Sequence, residues 1–280
     1  MQRRDTAIAV NGMTLHLTEW GPQAGRPLFM LHGIRGYAET FAGIAQALQP
    51  DFRVLAYDQR GRGASSWDPQ RNYYTDAYVD DLAGVADALG LDRFDLLGHS
   101  MGGIAAIVFA ARHPQRVRRL IIEDAGPAAF EGSAGAARIQ RELRETPEFF
   151  PDIAAAREYL RALRPSVTEA AREERLRHML KEDGAGGWTW RHDHAGIAAT
   201  RLDPDPTRVV DLWPQVQALG CPTLVVRGGR SDYLQAQTAR DMAARNPNVE
   251  WVEIEGAGHY IHDDQPAAFE QAVGGFLRRA

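Results

Sequence analysis

Cysteine and lysine each occur once in the 280 residues, at Cys221 and Lys181. A single cysteine excludes an intrachain disulfide and a cysteine-based metal cluster. Long apolar runs are missing too, and none reaches the roughly 18 residues that a membrane-spanning helix needs. The first residues, Met1-Gln2-Arg3-Arg4-Asp5, are charged and no apolar stretch follows them. No secretory signal is therefore expected, and the expected location is the cytoplasm. Excess positive charge is absent: the formal net charge is −5 and the isoelectric point about 6.0, which argues against a general nucleic-acid binder. The basic residues are nearly all arginine, a bias that reads as codon usage and not as function. What is present is ordinary for a globular chain, with 44% hydrophobic and 25% charged residues. The length allows one or two domains and a core large enough to stand without disulfides or metal.

Residues 6–10 and 13–20 are β-like runs joined by Asn11-Gly12, the favoured pair for a type I′ turn, so the chain is predicted to open with a hairpin. From Pro27 onward short apolar strands alternate with amphipathic helices. The predicted strands are 28–31, 53–57, 94–97, 120–123, 223–227 and 249–254. The predicted helices are 38–49, 77–89, 101–112, 235–245 and 266–279. This alternation implies right-handed crossovers and a mostly parallel sheet. It stops between Gly126 and Pro222, where helices are predicted at 136–145, 153–163 and 168–182 and no strand pattern is seen. Residues 127–213 therefore read as a helical insertion over the ligand crevice at the carboxyl ends of the strands.

Gly98-His99-Ser100-Met101-Gly102 fits Gly-x-Ser-x-Gly. With six serines in the chain, chance would produce this pattern in roughly one such sequence in twenty. Its place between a predicted strand and a predicted helix makes it far more specific, because that is the context of a nucleophile elbow. A serine hydroxyl needs a general base. Of nine histidines, His259 lies in Gly256-Ala257-Gly258-His259-Tyr260, a glycine loop after the last strand and at the same sheet edge as Ser100. His262 nearby is expected on the surface. His32-Gly33-Ile34-Arg35-Gly36 follows the strand 28–31 and can aim a backbone N–H at a developing oxyanion. The expected donors are the N–H groups of Ile34 and Met101.

On these residues the chain resembles the α/β-hydrolase-fold serine hydrolases over nearly its whole length. The matching motifs are His32-Gly33-x-x-Gly36, Asp58-x-Arg60-Gly61-x-Gly63-x-Ser65, Gly98-His99-Ser100-Met101-Gly102-Gly103, and Gly258-His259 followed by Gln265-Pro266. The resemblance implies a mostly parallel eight-stranded sheet flanked by helices. It makes residues 1–126 and 214–280 the core domain and 127–213 a helical cap over the pocket. Asp58 and Arg60 are expected to hold a turn.

The resemblance offers two places for the triad acid. Family members usually carry it in a Gly-x-x-Asp loop after the cap. Here that loop reads Gly228-Gly229-Arg230-Ser231-Asp232, so the position counted from Gly228 is Ser231 and that counted from Gly229 is Asp232. The other place is the end of the strand before the cap, as in haloalkane dehalogenases and in a hydrolase of 2-(acetamidomethylene)succinate. Asp124 stands there. The latter enzyme also resembles this chain in an Arg-Gly-x-x-Ser run after the cap. Ser231 in the usual place tilts the choice to Asp124, and Asp232 stays open.

The expected function is a cofactor-free serine hydrolase acting on a small ester, lactone or amide. The expected partner is a small-molecule substrate, with no nucleic acid and no membrane; pairing with a second copy of the chain is open. Arg35, inside the oxyanion loop, is a candidate for a substrate carboxylate, and Trp188 and Trp190 are candidates for a pocket wall, with core packing the alternative for both tryptophans. His192-Asp193-His194 lacks a further ligand at helical distance, so no metal site is expected. Rival expectations are a C–C bond hydrolase of ring-cleavage products, a haloperoxidase-like perhydrolase and a non-catalytic ligand receptor on the same fold.

Overall fold

A computed structural model describes residues 3–127, 133–164 and 167–279. The strands are β1 (Arg3–Val10), β2 (Met13–Trp20), β3 (Arg26–Leu31), β4 (Phe52–Tyr57), β5 (Phe94–His99), β6 (Val117–Glu123), β7 (Phe149–Phe150), β8 (Leu180–Glu182), β9 (Trp188–Trp190), β10 (Thr223–Gly228) and β11 (Val249–Ile254). The α-helices are α1 (Ala42–Leu48), α2 (Thr75–Ala88), α3 (Met101–Arg112), α4 (Ala134–Glu145), α5 (Ile153–Leu163), α6 (Glu169–Met179), α7 (His194–Leu202), α8 (Leu212–Gln217), α9 (Ala236–Arg245), α10 (Ile261–Asp264) and α11 (Pro266–Leu277). None of them is long and apolar enough to cross a membrane.

Eight strands form one sheet in the order β1-β2-β4-β3-β5-β6-β10-β11. β1 and β2 are the expected hairpin, with Asn11 and Gly12 at φ 50° and 74° as a type I′ turn demands. β2 joins β4 antiparallel, and from β4 to β11 every pairing is parallel. Parallel strands covered on both faces read as unbroken apolar runs, and β3 shows why. Phe29 and Leu31 enter the core under α2, α3, α8 and α9, whereas Leu28 and Met30 enter the core under α1 and α11. The chain runs from β3 outward to β4 and then returns to β5 on the other side of β3. That reversal opens a crevice at the carboxyl ends of β3 and β5, where ligands bind in open α/β sheets. The loops that emerge there are His32–Gly36 and the turn at Ser100.

The inserted region departs from expectation in one respect. It contains strands: β7, β9 and β8 form a small antiparallel sheet, with Phe149 opposite Thr189 and Leu180 opposite Trp190. Runs of two or three residues are too short to show a period, and β8 begins where the sequence still predicts helix 168–182. Two packing groups coexist in the insertion. Ile139 and Leu143 of α4 and Ile197 of α7 join the main core, whereas Phe150, Leu160, Leu176, Met179, Leu180 and Trp190 form a satellite cluster around Tyr37.

Candidate active site

The turn from β5 into α3 is forced by close backbone approach. A Cβ at Gly102 would stand 2.2 Å from the Leu31 carbonyl oxygen, so a side chain there would push α3 off β3. Ser100 at the corner holds φ 53° and ψ −118°, a conformation that non-glycine residues rarely adopt. Its N–H donates to the Glu123 carbonyl at 3.0 Å and its own carbonyl accepts from Ile104 N–H at 3.0 Å, which fixes the corner on both sides. The Ser100 side chain is buried at the start of α3, where unpaired N–H groups and the helix dipole favour negative charge.

His259 reaches it from the loop after β11. His259 Nε2 is 3.0 Å from Ser100 Oγ, and His259 Nδ1 is 2.7 Å from Asp124 Oδ2. Asp124, at the end of β6, is fully buried. Its carboxylate also accepts from Ser231 Oγ at 2.5 Å on Oδ2 and from Gly228 N–H at 3.2 Å on Oδ1. A carboxylate can only accept, so the group that faces it from His259 is Nδ1–H. Nδ1 of His259 then carries the proton, leaving Nε2 to accept from the serine hydroxyl. This is the arrangement of a serine nucleophile, a general base and an orienting acid.

The loop after β3 passes beside the serine: a Cβ at Gly33 would lie 3.3 Å from Ser100 Cβ. The Ile34 and Met101 N–H groups meet no acceptor among the described residues. Both residues are held by one buried arginine. Arg62 donates through Nε to the Ile34 carbonyl at 3.2 Å, through Nη2 to Met101 Sδ at 3.3 Å, and through Nη1 to Tyr78 Oη at 2.6 Å. His32 braces the same loop. Its Nδ1–H donates to the Gly33 carbonyl at 2.8 Å, and its Nε2 accepts from Gln59 N–H at 3.0 Å. Burial pulls its pKa down to about 4, and the facing N–H leaves no room for a second ring proton.

A family model described as the α/β hydrolase fold matches residues 26–266. The chain belongs to the α/β-hydrolase family. It is 32% identical over 254 residues to the mouse (Mus musculus) sn-1-specific diacylglycerol lipase ABHD11, covering 89% of this chain and 80% of that one. It is 31% identical over 252 residues to the 3-hydroxybutyrate-oligomer hydrolase of Cupriavidus necator, covering 86% and 85%. Among solved structures, E-2-(acetamidomethylene)succinate hydrolase superposes with a TM-score of 0.88 at 26% identity, covering 99% of this chain and 100% of that one.

Several expected residues of this hydrolase lie elsewhere. Asp232 points away from His259 into a two-bond clamp with Arg138, 2.8 Å from Nε and 3.0 Å from Nη2, and that guanidinium holds its pKa below the usual carboxylate range. Ser231, one residue earlier, instead donates to Asp124, the residue that faces His259 Nδ1. Trp188 and Trp190 border neither of the two cavities that meet this centre. Trp190 is buried in the satellite cluster, donating Nε1–H to the Pro147 carbonyl at 2.6 Å, and Trp188 packs on the same cluster. Their alternation on β9 reflects strand geometry. Arg35 does line a cavity beside His259, but Glu142 at 3.4 Å already faces its charge and Thr146 accepts from it at 3.0 Å.

His262 is buried, not superficial, because Glu123 receives it. Glu123 Oε1 accepts from the His262 backbone N–H at 3.0 Å and lies 2.7 Å from Nδ1. Burial lowers the His262 pKa, but Glu123 and Asp263 outweigh that and raise it. His99 completes this layer, donating Nε2–H to the His259 carbonyl at 3.0 Å; burial and its two histidine neighbours hold it neutral. The donor atoms of His99, Glu123 and His262 lie within 4.8 Å of one another, close enough to hold a metal ion, but each ring already has a protein partner. Asp193 caps α7 through Gly196 N–H and accepts from Tyr73 Oη at 2.9 Å, a structural role for the His192-Asp193-His194 run. Asp58 is structural as expected, accepting from Ala38 and Ala64 N–H groups, while Arg60 is clamped between Asp81 and Asp68.

Two cavities meet this centre. One of about 240 Å³ is bordered by Gly33, Arg35, Tyr37, His259 and Tyr260. The other, about 780 Å³, is bordered by Met101, Ile104, Gly126, Arg201, Leu202 and Trp213. Tyr233 packs beside the centre, its ring 4.6 Å from that of His259. Tyr233 and Arg62 were missed in the sequence. Arg62 had a signal, its place inside the Arg60-Gly61-Arg62-Gly63 turn; Tyr233 had none.

Proposed function

We propose that this α/β-hydrolase is a cofactor-free serine hydrolase that cleaves a small ester, lactone or amide through an acyl-enzyme on Ser100. The observation that carries the reading is the unbroken run of contacts from Ser100 Oγ through the His259 ring to Asp124, 3.0 and 2.7 Å long. Ser100 Oγ attacks the substrate carbonyl carbon while His259 Nε2 takes the hydroxyl proton. Negative charge develops on the carbonyl oxygen, and the Ile34 and Met101 N–H groups receive it. The intermediate collapses, His259 returns the proton to the leaving oxygen or nitrogen, and the acyl group stays on Ser100. Water, deprotonated by the same nitrogen, then releases the acid. Asp124 holds the ring in its working tautomer and stabilises the imidazolium.

The similar proteins named above act on a diacylglycerol, a 3-hydroxybutyrate oligomer and an acetamidomethylene compound, which supports both ester and amide bonds as substrates for this site. The test is hydrolysis of p-nitrophenyl butyrate by the wild-type and Ser100→Ala proteins. The variant is expected to lose about 10⁴-fold or more in kcat. Equal turnover by both would contradict the proposal.

A further inference from the structure

Arg201, the eighth residue of α7, borders the larger cavity. Its Nε is buried and meets no hydrogen-bond partner. Among the described residues no carboxylate lies within ion-pair distance of its guanidinium. The ionisable groups whose fields reach it are Tyr78, Tyr233, Tyr74 and a second cation, Arg62; burial, and then Arg62, push its pKa down. The other arginines of the two cavities are settled differently. Arg35, Arg138, Arg164, Arg172 and Arg175 each have a carboxylate partner, and Arg208 has Asp76; Arg230 has none, but it is exposed to water and donates to the Gly256 carbonyl. Asp211, the acid among the residues bordering the larger cavity, caps α8 through Trp213 N–H and is not within ion-pair distance of Arg201. A cation whose Nε is buried and which meets no counter-charge among the described residues costs stability, so one kept beside the proposed catalytic centre points to an anion that arrives from outside.

The direction of the chemistry says which end of the substrate brings it. His259 Nε2 hands its proton to the leaving atom, so the leaving group lies on the His259 side, toward the smaller cavity. The acyl part then extends past the Met101 N–H into the larger one, which at about 780 Å³ has ample room for it. Tyr233, whose ring packs 4.6 Å from that of His259, lies within electrostatic reach of Arg201. Resting on the serine-hydrolase reading above, we propose that Arg201 is a substrate anchor, and that the acyl group this enzyme cleaves carries a carboxylate which pairs with it. The substrates are then monoesters or monoamides of dicarboxylic acids.

The experiment compares the monoethyl esters of glutarate, adipate and suberate with their ω-carboxamide counterparts, which match them in shape and lack the charge. For at least one chain length the wild-type kcat/KM is expected to favour the carboxylate by about tenfold or more. Arg201→Gln is expected to bring that ratio close to one; the ratio cancels any general loss of activity. The same variant is expected to have a higher Tm without ligand, since it removes an unpaired charge. A wild-type ratio near one at all three lengths, an unchanged ratio in the variant, or a variant that fails to fold would each overturn the proposal. Calorimetric binding of adipate to Ser100→Ala protein separates the two readings, because it needs no turnover. Binding lost on adding Arg201→Gln supports the anchor even if no ester is hydrolysed, and ester hydrolysis with no charge preference removes the anchor and leaves the hydrolase.

Discussion

Replacing Asp124 by asparagine keeps the shape of the side chain and removes its charge, and the surrounding donors decide how the amide settles. Oδ2 faces His259 Nδ1 at 2.7 Å and the Ser231 hydroxyl at 2.5 Å, whereas Oδ1 faces only the Gly228 N–H at 3.2 Å. If the amide nitrogen took the Oδ1 place, it would oppose a backbone N–H that cannot turn away, leaving a buried donor unpaired at a cost of about 1–3 kcal/mol. In the other orientation the amide oxygen accepts from Gly228 and the nitrogen donates to His259 Nδ1. The Ser231 hydroxyl can rotate and the imidazole can change tautomer, so this orientation wins. The ring proton then sits on Nε2, 3.0 Å from Ser100 Oγ, and the base cannot accept. The expected loss in kcat is about 10⁴-fold, or about 5 kcal/mol of transition-state stabilisation. Asp232→Asn is the comparison. It breaks a half-exposed clamp with Arg138 worth about 0.5 kcal/mol and is expected to lower kcat by less than about tenfold. Steady-state hydrolysis of p-nitrophenyl butyrate measures both. Near-normal kcat in Asp124→Asn, or a severe loss in Asp232→Asn alone, would refute the reasoning.

Other outcomes follow from neighbouring contacts. Arg62→Gln frees the Ile34 carbonyl and the Met101 side chain, and is expected to lower kcat by about 10–100-fold with KM changed by less than about threefold; a change in KM alone would contradict its hold on the oxyanion loop. His32 is protonated in the unfolded chain below about pH 6.5 but in the folded one only near 4, so stability falls as pH drops through that window, by about 3 kcal/mol from this residue. Urea unfolding at pH 7 and 4.5 should show a smaller pH dependence in His32→Gln than in wild type, and equal dependence would remove His32 as the cause. Phe29, fully buried on β3 and edge-on to Phe94 at 4.8 Å, should cost about 4 kcal/mol when changed to alanine; a loss under about 2 kcal/mol would contradict its place in the core.

The sheet was legible because strands buried on both faces are written as apolar runs, and the elbow because three residue types at fixed spacing mark one backbone turn. The choice between Asp124 and Asp232 was legible only as a tilt toward Asp124, since it depends on whether the Asp232 side chain turns toward His259 or away from it. Arg138 decides that from α4, more than ninety positions away in the chain. His262 was misplaced for a similar reason: its partner Glu123 lies on β6, and only the fold brings them together. Trp188 and Trp190 showed an alternation that fits a strand in any setting, and it said nothing about which cluster they enter. Arg201 carried no sequence signal among so many arginines, because what distinguishes it is the missing partner.

The central claim is that Ser100 is the nucleophile of an acyl transfer. Intact-mass and peptide mass spectrometry after treatment with a fluorophosphonate tests it most directly, with the His259→Ala protein alongside. One adduct per chain, on Ser100, is expected, with strongly slowed labelling when the histidine is removed. An unmodified Ser100, or labelling at the same rate without His259, would contradict it.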